Sequence, residues 1–144
     1  MERPRLYYDS DCAFCRWALG WVLRWDRSAR LRPVEIDSRE GERELGDLGA
    51  ARFDSWHLVR DGERHSGGRA LAPLLEELPA GRALAPIARH LPCAIVPGYS
   101  WIASHRSRLS RLVPERSKAR ANALIDSRAL RLLPLGARRV RAPS

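Results

Sequence analysis

The sequence predicts an α/β fold: a mixed four-stranded sheet flanked by helices, with a basic helical extension at the C-terminal end. Three observations predict it. Short β-type runs alternate with segments of helical period from the start of the chain. A turn signal, Asp61-Gly62, separates two further strand-type runs. The charge also changes character near residue 99, where a neutral region gives way to a basic one. At 144 residues and 44% hydrophobic, the chain suits one domain with its own core, which excludes global disorder.

Leu6-Tyr7-Tyr8 is a β-type run ending at Asp9, and Ser10 or Asp11 offers an N-cap for a following helix. In that helix Phe14, Ala18, Trp21 and Trp25 share one face, and Arg16, Gly20, Arg24 and Arg27 share the other. The first set is the expected core face of an amphipathic helix. Leu31–Asp37 reads as a second strand and Ser38–Leu48 as a charged helix. Trp56–Arg60 reads as a third strand, followed by the Asp61-Gly62 turn and a short fourth strand that Gly67-Gly68 ends. Ala70–Leu78 fits a helix closed by Pro79 and Gly81, and Ala83–Leu91 fits another. A strand–helix–strand opening implies a parallel pair with a right-handed crossover, whereas the later hairpin is antiparallel. A mixed four-stranded sheet satisfies both, and this is the thioredoxin-like arrangement.

After Pro97-Gly98 the texture changes. Ile102, His105, Leu109 and Leu112 form one helical stripe, and Pro114 ends that helix. Residues 117–144 carry a weaker apolar pattern, Ala123-Leu124-Ile125 and Leu130–Leu135, and finish in the basic run Arg138–Ser144. The expected organisation is a thioredoxin-like domain at 1–95, an amphipathic helix at 96–113 packing on it, and a basic helical or partly disordered tail at 114–144.

The net charge of +9 is unevenly spread. Met1–Tyr99 holds 15 basic and 15 acidic residues, while Ser100–Ser144 holds 11 basic and 2 acidic ones. A neutral domain with a basic end differs from a uniformly basic nucleic-acid-binding domain. The basic end reads either as a solvated face or as a dock for an anionic surface: a membrane face, nucleic acid or a protein partner. No aromatic residue follows Trp101 to stack on bases, so a membrane surface or a partner groove fits better than nucleic acid. The N-terminal residues do not resemble a signal peptide, and the longest apolar stretch, Trp17–Leu23, is too short to span a bilayer. The expectation is a cytoplasmic protein without a transmembrane segment. Its three cysteines argue against a structural disulfide framework.

Cys12 and Cys15 stand three residues apart at the start of the first helix, so their sulfurs share a face and can meet. Free N–H groups and the helix dipole at that end favour a thiolate, the nucleophile of disulfide exchange. Cys12, nearest the terminus, is the expected attacking sulfur, and Cys15, one turn deeper, the resolving one. A charged Asp11 pointing at Cys12 would oppose its thiolate; otherwise Asp11 is a plain N-cap. Asp9 is placed to accept helix N–H bonds or to take a proton from Cys15. Two other readings of the pair remain, a zinc site and two inert buried thiols. Zinc needs four ligands, and Cys93, His57, His65, His90 and His105 are scattered without ligand spacing. Cys93, in Leu-Pro-Cys-Ala-Ile-Val, reads as a small buried residue. His105, Phe14 and Trp17 read as packing residues. Disulfide exchange needs no bound cofactor; its substrate is a protein or small-molecule disulfide or dithiol.

The segment Leu6–Trp17, LYYDSDCAFCRW, resembles the DCC family of thiol-disulfide oxidoreductase-like proteins, named for an Asp-x-x-Cys-x-x-Cys motif that Asp9, Cys12 and Cys15 match. The segment Gly98–Arg111, GYSWIASHRSRLSR, is similar to a Tyr-x-Trp-Ile-Ala segment near the end of such proteins. Ser55–Val59, Asp61-Gly62 and Gly67–Ala70 look like the family's third strand, hairpin and following helix. The resemblance covers about Arg5–Val113 and implies a thioredoxin-like fold with a redox role for Cys12 and Cys15. The sequence departs from thioredoxins proper at the third strand, which they precede with a substrate-binding cis-proline. No proline occurs here between Pro33 and Pro73.

Overall fold

The computed structural model describes residues 2–132. Its elements run β1 (Arg5–Tyr8), α1 (Ala13–Trp25), β2 (Arg32–Glu35), α2 (Arg39–Leu45), β3 (His57–Arg60), β4 (Glu63–Ser66), α3 (Leu71–Glu77), α4 (Ala85–His90), α5 (Pro92–Leu112) and α6 (Glu115–Leu132). Short 3₁₀ turns at Gly46–Phe53, Gly67–Ala70 and Gly81–Ala83 complete the connections. The sheet order is β2-β1-β3-β4, with β1 parallel to β2 and antiparallel to β3, and β3 antiparallel to β4. This is the mixed, thioredoxin-like sheet that the element pattern predicts. The β3–β4 turn places Asp61 and Gly62 at φ 53° and 82°, which only an Asp/Asn-Gly type of turn adopts cheaply.

Alternation along β1 divides the core in two. Leu6 and Tyr8 face α1 and α3, packing with Leu19, Leu23, Leu58, Leu74 and Leu78. Tyr7 points to the other face, with Val34, Ile36, Leu45 and Val59.

Four expectations are corrected. The cap of α1 is neither Ser10 nor Asp11 but Cys12, whose sulfur accepts the Cys15 N–H at 3.2 Å. The Ser10 hydroxyl instead donates to Asp37. The buried face of α1 is Cys15, Leu19, Gly20 and Leu23, while Trp21 and Trp25 are 54% and 38% exposed. The helix carries apolar residues around most of its circumference, so periodicity alone could not choose the face. Helix α5 begins at Pro92, ahead of the expected start at 96, and runs through Pro97. None of its residues is buried, and Ile102 and Leu112 of the expected stripe are 42% and 79% exposed. Cys93, in the first turn of this surface helix, is exposed rather than packed.

Residues 115–132 form the helical part of the extension expected after Pro114. Helix α6 lies along α1, and its Ile125 belongs to the core under that helix. Gly20 is the contact point: a Cβ there would overlap Ala121. Arg16 Nε donates to Asn122 at 2.7 Å, and Trp17 Nε1 donates to Ser117 at 2.8 Å. The Arg128 guanidinium is buried over the C-terminus of α1, where it donates to Asp26 Oδ2 at 2.6 Å and to the carbonyls of Leu23 and Asp26 at 3.1 Å. The weak apolar pattern of 117–132 hides this packing because small residues and one long cation carry it. The rest of the expected tail, 133–144, lies outside the described residues. Among the described residues no helix is long and apolar enough to cross a membrane.

Candidate functional site

Strand β1 delivers the chain to Asp9 at the edge of the core, where a tight turn starts α1. The Asp9 carboxylate accepts the Asp11 N–H at 3.0 Å, and the Asp9 carbonyl accepts the Cys12 N–H at 3.4 Å. Cys12 keeps an extended backbone, φ −88° and ψ 103°, as an N-cap must. Its sulfur therefore sits where α1 presents free N–H groups. Cys12 and Cys15 are joined as a disulfide, with Cα atoms 5.2 Å apart. Cys12 is half-buried and Cys15 is buried.

The four residues expected at the site separate into two environments. Cys12 and Asp11 border a shallow groove that also includes Ser107 and Ser110 of α5. Asp9 borders both this groove and a deeper cavity of about 260 Å³, which Cys15 also borders. Its walls are almost wholly apolar, built from Phe14 and Ala18 of α1, Trp56, Leu74, and Tyr99 and Ile102 of α5. Phe14, expected as packing, thus lines the site, whereas Trp17 bonds to α6.

Two residues of α5 complete the site and were not foreseen as members of it. Tyr99 Oη accepts the Trp56 N–H at 2.9 Å, and burial pushes its phenol up from the ordinary value. Arg106 donates to the Phe53 carbonyl at 2.8 Å and reaches to 3.9 Å from the Asp9 carboxylate. Both lie in the Gly98–Arg111 segment, but nothing in their own spacing marks them, because α5 buries no stripe and instead closes its backbone on Gly68 while single side chains make its bonds. His57 is also fully engaged, its ring nitrogens meeting Ser66 Oγ at 2.7 Å and the Arg52 carbonyl at 2.8 Å. Among the described residues no three His, Cys, Asp or Glu side chains converge as metal ligands.

A profile of the DCC1-like thiol-disulfide oxidoreductase family matches residues 6–112. The chain belongs to that family. No curated protein and no solved structure matches it. The matched region spans β1 to α5 and so contains the disulfide, Asp9, the cavity, Tyr99 and Arg106; α6 lies beyond it. Family membership and the closed Cys12–Cys15 pair together support a redox role. The alternative, a non-catalytic module docking through its basic end, finds no such support, and part of that basic charge is consumed internally, Arg128 by Asp26 and Lys118 by Glu115.

Proposed function

We propose that this DCC1-like protein is a thiol-disulfide oxidoreductase working through Cys12 and Cys15. The observation that carries the reading is the disulfide at the start of α1, with one sulfur accessible as the N-cap and the other buried one turn deeper. In the reduced protein the Cys12 thiolate attacks one sulfur of a substrate disulfide. The substrate S–S bond breaks, one substrate thiolate leaves and takes up a proton, and Cys12 holds the other half as a mixed disulfide. Cys15 then loses its proton and attacks Cys12, which expels the second substrate thiolate and forms the Cys12–Cys15 bond. Two electrons pass from the protein dithiol to the substrate. A dithiol of another thiol system returns them by the reverse steps, so no bound cofactor is required.

Asp9 is the proposed acceptor of the Cys15 proton, since both side chains border one cavity. Asp11 beside Cys12 is proposed to restrain it by its negative charge. An exposed free thiol at Cys93 and a cycling pair suit a reducing, cytoplasmic compartment.

The test is a titration of the Cys12–Cys15 couple in thiol/disulfide buffers, followed by trapping with single-cysteine variants in a Cys93→Ser background. Cys15→Ser should accumulate a mixed disulfide on Cys12, and Cys12→Ser should abolish turnover. A pair that cannot be cycled, or turnover that survives Cys12→Ser, overturns the reading. Asp9→Asn should slow release of the mixed disulfide and shift its pH profile, whereas Asp11→Asn should speed alkylation of reduced Cys12.

A further inference from the structure

Resting on that reading, we infer that the substrate is a low-molecular-weight disulfide carrying an uncharged apolar group, which the cavity beside Cys15 receives. The cavity holds about 260 Å³. A hydrophobic cavity of roughly 150 Å³ takes up benzene, so there is room here for a benzyl-sized group or a branched alkyl chain. Its apolar walls give such a group the free energy of leaving water.

Two further observations narrow the class. The wall nearest the sheet is Ser55-Trp56, the segment entering β3. A bound peptide would have to pair with backbone groups there, as strand-adding peptides do. Both polar backbone groups of Trp56 are already taken: its N–H by Tyr99 Oη at 2.9 Å, and its carbonyl by the Gly67 N–H at 2.9 Å. At Trp56 an extended polypeptide thus finds no free ladder partner, while a small molecule needs none.

Charge narrows it again. Asp9 and Asp54 border the cavity, and its one cation, Arg106, donates to the Phe53 carbonyl and lies 3.9 Å from Asp9. An anionic disulfide meets two carboxylates against one cation, whose Nη1 is already held by the Phe53 carbonyl. Cys12, in the adjoining groove, then attacks the sulfur next to the seated group, and exchange proceeds by the balanced steps given above.

The experiment compares reduction of three disulfides by the full-length protein: dibenzyl disulfide, bis(2-hydroxyethyl) disulfide and insulin. Each kcat/KM is divided by the rate of the same disulfide with free dithiothreitol, which removes intrinsic reactivity. The normalised value for dibenzyl disulfide should exceed that for the hydroxyethyl compound by about tenfold or more, the discrimination that one apolar pocket supplies. Insulin should rank no higher than the hydroxyethyl compound. Ala103→Phe, which places a ring in the cavity from α5, should bring the benzyl-to-hydroxyethyl ratio toward one. Ala18→Leu does the same from α1, should Ala103→Phe not fold. Equal normalised rates in the wild type, a preference for insulin, or a benzyl preference that survives both fillings overturns the inference while leaving disulfide exchange standing. Failure to reduce any of the three overturns disulfide exchange itself.

Discussion

Asp26 shows how much one residue can hold in this protein. It is fully buried at the C-terminal end of α1, where its carboxylate accepts N–H bonds from Arg30 at 3.1 Å and Leu31 at 2.9 Å besides the Arg128 guanidinium. Arg128 meanwhile satisfies two carbonyls at the negative end of the helix. Arg128→Ala leaves Asp26 buried without its counter-charge and should cost about 3–5 kcal/mol in urea unfolding. Arg128→Met combined with Asp26→Leu should recover only part of that loss, since it removes the buried charge but leaves the Arg30 and Leu31 N–H groups and the Leu23 and Asp26 carbonyls without these partners. His57 supplies a pH test. Burial, the largest influence, pushes its imidazolium below the ordinary value despite the Arg52 carbonyl. The unfolded chain titrates His57 near pH 6.5, at roughly its free value, and there binds more protons than the fold does. Stability from the neutral ring is therefore complete above that pH and is lost as the pH falls through it toward the lower folded value. The unfolding midpoint of wild type should drop between about pH 7 and about pH 5 more steeply than that of His57→Gln; parallel profiles would show that the imidazole is not the titrating group. Cys93 gives the simplest check. Without reductant one thiol should react with a thiol reagent in the native protein, and after reduction and denaturation all three should.

At the scale of elements, the contact of α1 with α6 turns on Gly20. Gly20→Ala pushes a methyl group into Ala121 and should destabilise by about 1–3 kcal/mol. Ala121→Gly in the same chain should relieve part of this, and a double-mutant cycle with no coupling would separate the helices in solution. The sequence made much of the rest legible. The β-type run Leu6-Tyr7-Tyr8, the Asp61-Gly62 turn and the strand–helix–strand opening lead to the observed mixed sheet, because each depends on local chemistry. The Cys12–Cys15 pair was legible for the same reason, its members lying three residues apart at the start of one helix. The face of α1 was not legible, since it is decided by which neighbours arrive, and α6 arrives from about a hundred residues downstream. The apolar cavity was not legible either. Trp56 and the α5 residues Tyr99 and Ile102 are remote from Cys15 in sequence, and only folding brings them beside it and Phe14.

For the whole molecule the decisive question is whether residues beyond Pro114 belong to the folding unit, and we propose that α6 does. Charge partition argues otherwise, since residues 1–99 are neutral overall and the excess lies after them. Charge reports what a surface can attract, whereas membership of a core is set by what is removed from water. Ile125 is 2% exposed and Ala121 6%, and Arg128 is the only counter-charge within ion-pair distance of Asp26 among the described residues. Losing Ile125 from the core forfeits about 1.5–3 kcal/mol of burial. Asp26 loses its counter-charge and Leu23 and Asp26 lose the guanidinium on their carbonyls, a further cost of about 1–3 kcal/mol. Leu19 and Leu23 are also uncovered on the side that α6 shields. Against a total stability of roughly 5–15 kcal/mol for a domain, these losses are enough to unfold a marginal protein. Deleting residues 114–144 should therefore abolish the cooperative thermal transition or lower its midpoint by well over ten degrees, about what a loss of this size implies for a domain of this length. A truncated chain that melts like the full-length protein would instead place α6 outside the folding unit. The redox couple offers an independent reading, because α1 carries the cysteines at one end and the Arg128–Asp26 contact at the other. If the truncated chain still folds, its Cys12–Cys15 disulfide should be reduced at lower dithiothreitol than in the full chain, since a loosened α1 no longer holds Cys15 buried against Cys12.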